Sequence, residues 1–152
     1  MDLRIVTVGR PSRDVQRVFL DDYLKRLRPV WPTEVVSVSS ERLSSGVNDA
    51  EAMAREAERI AAKCLEDRPL IALDRRGKPM SSTAFAKRLR ARQDAGTRGL
   101  TFAVGGPLGL DPALVERATF VLSLGPMTLP HDLALVVLAE QLYRASTIVR
   151  GH

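Results

Sequence analysis

Two glycine-bearing loops, each directly after an apolar run of β type, carry most of the chemistry this chain can offer. The first reads Leu100-Thr-Phe-Ala-Val-Gly-Gly-Pro-Leu-Gly-Leu110, the second Phe120-Val-Leu-Ser-Leu-Gly-Pro-Met-Thr-Leu-Pro-His131. Glycine after a strand lets main chain come within contact distance of a ligand, because no Cβ intervenes. Two such loops at the carboxyl ends of strands in an open α/β sheet point to a pocket built from backbone donors and acceptors. Gly105-Gly106-Pro107-Leu108-Gly109 is not a Walker motif, since no Gly-Lys-Ser/Thr follows. Nor is it the dinucleotide fingerprint, which needs its glycines after the first strand, where only Gly9 stands. A phosphate-free, adenosine-containing cofactor fits such a loop; so does a plain tight β–α turn.

Four further side chains are candidates for chemistry. His131, at the mouth of the second loop and just before a helix, can orient a substrate or move a proton near neutral pH; the alternative is a helix-start residue bonded to backbone. Arg144 lies on a nearly all-apolar helix and needs an anionic partner, either a phosphate or a carboxylate of the fold itself. Asp74, at the end of a third β run, can take a ribose hydroxyl or pair with Arg75, Arg76 or Lys78. The basic Gly9-Arg10-Pro11 after the first strand argues against an acidic phosphoacceptor cluster there. Cys64 falls on the apolar stripe of a predicted helix, where a buried small hydrophobe is the expected role.

These residues need a frame, and the periodicity supplies one. Strands are predicted over 3–8, 34–38, 69–73, 100–104 and 119–124, with residues 74–78 turning the chain. Helices are predicted from Asp14 to Leu27, around Met53–Leu65, from Ser81 or Ser82 to about Ala95, from the Asp111-Pro112 start, and after His131. The polar stretch 39–48 reads as a mobile loop. Alternation of strand and helix throughout predicts an α/β fold, a mainly parallel sheet covered by helices on both faces. At 152 residues the chain is expected to be one domain, 1–152.

Charge narrows the partners. Lys+Arg 23 against Asp+Glu 18 leaves +5, which admits a polyanion. Arg10, Arg13, Arg75, Arg76, Lys78 and Arg150 fall near strand-end loops or the C-terminus, a basic rim suited to RNA phosphates. Lys87, Arg88, Arg90, Arg92 and Arg98 form either a second phosphate-contacting face or an ordinary solvated one. With one Trp, two Tyr and four Phe, base-stacking platforms are not expected; Trp31, between Pro29 and Pro32, reads as a packing residue. A lone cysteine points to a reducing compartment. The charged N-terminus is no signal peptide, and the apolar run after His131 is too short to span a bilayer. A cytoplasmic protein with no membrane and no metal partner is the expectation.

Taken together, Val104–Leu110, Leu122–His131 and Glu140-Gln-Leu-Tyr-Arg-Ala145, with Ile5–Gly9, Leu73-Asp74 and Gly77-Lys78, closely resemble the RlmH family of SPOUT-class 23S rRNA pseudouridine-N3 methyltransferases. The resemblance runs along the whole chain in order. It implies a C-terminal trefoil knot, a homodimer, and S-adenosylmethionine bound in the knot by Leu73, Gly106, Gly125, Pro126, Met127, Thr128, Leu129 and Pro130, with Gly105 and Asp74 as close neighbours. It implies a pseudouridine of helix 69 in the assembled ribosome as substrate, with His131 and Arg144 on the substrate side as catalytic groups. Two departures stand out. Leu108 replaces a frequently polar residue, and the sequence stops at Arg150-Gly151-His152, where the family pattern continues into a Pro-Tyr-His-Arg-like tail. Without that tail the expectation is retained cofactor binding with impaired turnover. Two rival readings share the charge: a non-catalytic RNA- or ribosome-binding α/β module, and a small-molecule-binding domain.

Overall fold

The computed structural model describes residues 1–41 and 46–152. Part of the loop expected over 39–48 therefore lies outside the described residues. Ten elements follow one another as β1 (Asp2–Val8), α1 (Asp14–Leu27), β2 (Thr33–Val38), α2 (Asp49–Ala61), β3 (Leu70–Pro79), α3 (Ser82–Asp94), β4 (Gly99–Val104), α4 (Pro112–Glu116), β5 (Phe120–Ser123) and α5 (His131–Val149). The five strands form one sheet in the order β2-β1-β4-β3-β5, and every pairing is parallel.

A parallel sheet must be covered twice, and the side chains divide accordingly. Leu3 and Ile5 of β1, with Leu100 and Phe102 of β4, pack under α1, α3 and α5 through Leu20, Phe85, Leu89, Leu135 and Leu138. Val6 and Val8 of β1 and Ala103 of β4 face the other way, against Ile60 of α2 and Leu114 of α4. All of β4 is buried, as befits the central strand. Trp31 is fully buried in the first cluster, and its Nε1–H donates to Gln93 Oε1 at 2.8 Å, so the indole's polar atom is satisfied. Ser81 caps α3 through Ala84 N, and Asp111 caps α4 through Ala113 N with Pro112 at the first turn.

Crossovers that step toward β2 carry their helix on one face, and those that step toward β5 carry it on the other. That coupling of direction and face gives all four the same hand. The chain leaves β3 for β4, then returns across β3 to reach β5. The β3–β4 crossover thus joins neighbours, whereas the β4–β5 crossover passes over β3 in the opposite sense.

The strand expected to end at Leu73 does not. Leu122 lies opposite both Leu73 and Lys78, and pairing resumes through Pro79 opposite Ser123. Residues 74–77 are thus a bulge inside β3 rather than a turn that closes it. Bulges of this kind re-aim side chains beside sites. Periodicity could not reveal it, because Asp74-Arg75-Arg76-Gly77 has the composition of a turn.

Candidate active site

A broad pocket opens where β4 and β5 end, beside the bulge of β3. It encloses about 450 Å³ and is walled by the two glycine loops, the β3 bulge and the first turn of α5. That size lies within the range of cofactor sites.

The first wall is rigid because it closes on itself. The Gly109 N–H donates to Gly106 O at 2.9 Å, and the two residues form an antiparallel bridge. A Cβ on Gly105 would stand 2.5 Å from the Gly109 carbonyl carbon and 2.8 Å from Leu110 N, which are backbone atoms that cannot step aside. The second wall hangs on Ser123. Its Oγ accepts from the Gly125 N–H at 3.1 Å and lies within donating distance of Arg75 O (3.1 Å) and Gly125 O (3.0 Å), so one hydroxyl ties this loop to the β3 bulge. Gly125 itself sits at φ +134°, a conformation closed to other residues. Among the described residues, the amides of Leu108, Met127, Thr128 and Leu129 have no hydrogen-bond partner within the chain. Unpaired amides on both walls are what a ligand read by main chain requires.

Leu73, Asp74, Gly105, Gly106, Gly125, Met127, Thr128 and Leu129 of the expected cofactor set border this space, and so does His131. Pro126 and Pro130 do not. Pro126 is exposed, and Pro130 precedes the first turn of α5. Met53 of α2, Pro112 of α4 and Ala134 of α5 also line the pocket. Nothing in their local sequence marks them, since their elements reach the site only through packing.

Asp74 faces the pocket while folded back on its neighbour. Its Oδ1 accepts from Arg76 N at 2.8 Å and Arg76 Nε at 3.0 Å, and its Oδ2 accepts from the same guanidinium at 3.0 Å. Those bonds hold the carboxyl below its ordinary value despite partial burial. The pairing expected as an alternative to a ribose contact is therefore made, by Arg76. Arg75 and Arg76 are exposed beside the mouth.

His131 and Arg144 part company. His131 Nε2 lies 2.9 Å from Asp132 Oδ1, at the pocket wall. Arg144 stands roughly 20 Å farther along α5, is largely exposed, and is paired with Glu140. Its partner within this chain is the carboxylate of the fold, and it does not border the pocket. The α3 basic run is also remote, since α3 leads down to the opposite sheet edge where β4 begins. There Arg88 stacks on the Phe120 ring at 3.8 Å and Arg90 pairs with Asp94. Cys64 sits in the turn after α2, half-buried. Its Sγ–H donates to Ile60 O at 3.4 Å, and burial pushes the thiol up, away from the thiolate a nucleophile needs. Among the described residues no helix is long and apolar enough to cross a membrane.

A family model described as "Predicted SPOUT methyltransferase" matches residues 1–152. The chain belongs to the SPOUT methyltransferases. A SPOUT methyltransferase is a transferase that takes its methyl group from a donor. Among relatives, the chain is 41% identical to the "Ribosomal RNA large subunit methyltransferase H" of Carboxydothermus hydrogenoformans, over 99% of this chain and 97% of that one. It is 43% identical to the protein of the same name from Rhizobium etli, over 100% and 97%. A probable methyltransferase from Bordetella pertussis shares the SPOUT fold, with a TM-score of 0.59 at 18% identity over 94% of this chain and 95% of that one.

Proposed function

We propose that this SPOUT methyltransferase transfers a methyl group from S-adenosylmethionine to N3 of a pseudouridine in helix 69 of 23S rRNA, on the assembled ribosome in the cytoplasm, as a homodimer whose C-terminal third is tied in a trefoil knot. The observation that carries this reading is the pocket walled by main chain at the ends of β4 and β5. The names of the relatives support a large-subunit rRNA target, and the return of the chain from β4 across β3 to β5 supports the knot.

The site fits the cofactor. The self-closed Gly105–Leu110 turn brings the bare main chain of three glycines to the pocket, and the free amides of both walls match the acceptors of a nucleoside. Leu73, Gly106 and the 125–129 loop would hold it. When bound, S-adenosylmethionine supplies an electrophilic methyl on a sulfonium sulfur. The chain's task is to present an in-line nucleophile, and an imide nitrogen is a poor one until its proton leaves. His131, at the pocket wall, takes that proton from N3. Proximity provides much of the acceleration. Arg75 and Arg76 on the β3 bulge, with Arg10 and Arg13 on the β1–α1 loop, are exposed cations placed to receive RNA phosphates.

The homodimer accounts for Arg144. Ser12 meets Asp132 at one end of α1 and α5, and Tyr23 meets Tyr143 farther along, so these helices run side by side in the same direction. Val15, Val18 and Phe19 form an exposed apolar stripe on α1, beside the middle of α5. A two-fold axis through that stripe reverses the second copy's helices and carries its Arg144 back toward the first copy's His131. The cation stabilising the developing imide anion then comes from the second subunit. Mixed dimers of Arg144→Ala and His131→Ala chains should recover activity in one of their two sites.

Incubating the protein with methyl-labelled S-adenosylmethionine and ribosomes tests the whole reading. Label on N3 of a helix 69 pseudouridine is the expected result. Salt-sensitive ribosome binding without transfer would make the chain a binding module instead.

A further inference from the structure

We infer that Asp132, clamped by Ser12, is a positioning residue that sets the proton arrangement of the His131 ring. The inference rests on the pocket being the methyl-transfer site. Asp132 is the second residue of α5, a place where an acidic side chain ordinarily faces solvent and the free amides of the first turn. Here it is buried, only 6% exposed. Its Oδ2 accepts two hydrogen bonds from a different element, Ser12 N and Ser12 Oγ, both at 2.9 Å. Its Oδ1 lies 2.9 Å from His131 Nε2. Among the described residues, neither oxygen accepts from a first-turn amide of α5, so the carboxylate is not serving as a helix cap.

A carboxylate removed from water keeps its charge only where partners replace the lost solvation. Ser12 does this for one oxygen. The other is left to the imidazole. The contact is one of charge and proximity: the anionic Oδ1 favours the ring proton on Nε2, which leaves Nδ1 as the ring's acceptor. Since His131 borders the pocket, the acceptor belongs to the group that meets the substrate. In the proposed reaction the N3–H proton passes to Nδ1 as the carbon–sulfur bond breaks. Its electron pair returns to sulfur as a thioether, and the N3 lone pair forms the new bond to carbon. The ring then carries a positive charge beside Asp132, which stabilises it. Ser12 lies in the β1–α1 loop that also holds Arg10 and Arg13, so the same clamp ties that basic loop to the ring.

The test uses the full chain labelled with nitrogen-15 histidine. Only His131 and His152 contribute signals, and His152→Gln assigns them. In the unaltered protein the His131 spectrum should report the proton on Nε2. Asp132→Asn, which can turn an amide N–H toward Nε2, should move proton population to Nδ1. It should also lower kcat about ten-fold or more, within the range for proton-transfer groups, while cofactor Kd stays within about two-fold. Ser12→Ala keeps the backbone bond and should shift the resonances in the same direction by less; it gives the same readout if the first variant does not fold. Unchanged His131 resonances, or an unchanged kcat, would overturn the inference. If the unaltered protein shows the nitrogen signature but transfers no methyl to ribosomes, the functional reading fails and the positioning role stands.

Discussion

The two walls of the pocket are built from similar sequence and behave as opposites. Gly105–Leu110 is closed by its own backbone, with Gly105 and Gly106 buried and no room for a methyl group at Gly105. The loop 124–130 is open, with Pro126, Met127 and Thr128 exposed and a single serine hydroxyl holding its base. One wall is braced by its own backbone and the other is open to solvent. The difference comes from what each loop touches. The first folds back on itself at the end of the central strand, while the second joins the edge strand β5 to α5 and is tied through Ser123 to the bulge of β3. A pocket of this kind can hold one ligand shape on one side and admit a large substrate on the other.

The contrast can be broken most sharply at Gly105. Gly105→Ala forces a Cβ against backbone, and overpacking of that sort costs about 1–3 kcal/mol. Urea unfolding should show that loss, and calorimetry should show cofactor affinity reduced by roughly ten-fold or more. An unchanged affinity would remove this loop from the binding wall. Ser123→Ala tests the other side. Losing the hydroxyl should cost about 1 kcal/mol and weaken cofactor binding by a few-fold, a smaller effect because the loop can settle elsewhere. If it matched Gly105→Ala, the second wall would be as fixed as the first.

Acid should loosen the bulge before it touches the first wall. Asp74 is held below its ordinary value by Arg76, so its contribution is complete above the usual carboxyl range, near pH ~4, and is lost as pH falls through the lower folded value. Asp74→Asn should therefore flatten the acid limb of the stability curve while leaving neutral-pH binding geometry intact; an identical acid limb would show that the pairing contributes nothing to folding. The smallest effect is expected at Met127, which is 81% exposed. Met127→Ala should change stability by less than about 0.5 kcal/mol and act only on affinity for cofactor or RNA, measured in parallel by calorimetry and filter binding.

Much of this was legible in the chain itself. The alternation of periods gives all five strands and five helices, and the glycine spacing locates both walls, because main-chain approach leaves a mark in residue type. Asp111-Pro112 and Ser81 announce their caps for the same reason. The β3 bulge was not legible, since Asp74–Gly77 reads as a turn whether or not pairing resumes after it. Neither was the clamp on Asp132, whose partner Ser12 lies at the other end of the sequence, nor the roles of Met53, Pro112 and Ala134 as lining residues.

The amino-acid order thus determined the elements, the places where backbone lies bare, and the excess of positive charge, all properties of short stretches read by local sterics and period. Tertiary structure alone decided which of these meet. It brought Asp74 and Arg76 to the mouth, tied Asp132 to Ser12 of the β1–α1 loop, and left Arg144 far down α5. Such juxtapositions depend on how the sheet orders its strands and on which face each helix covers, and no stretch of chain encodes its distance to another.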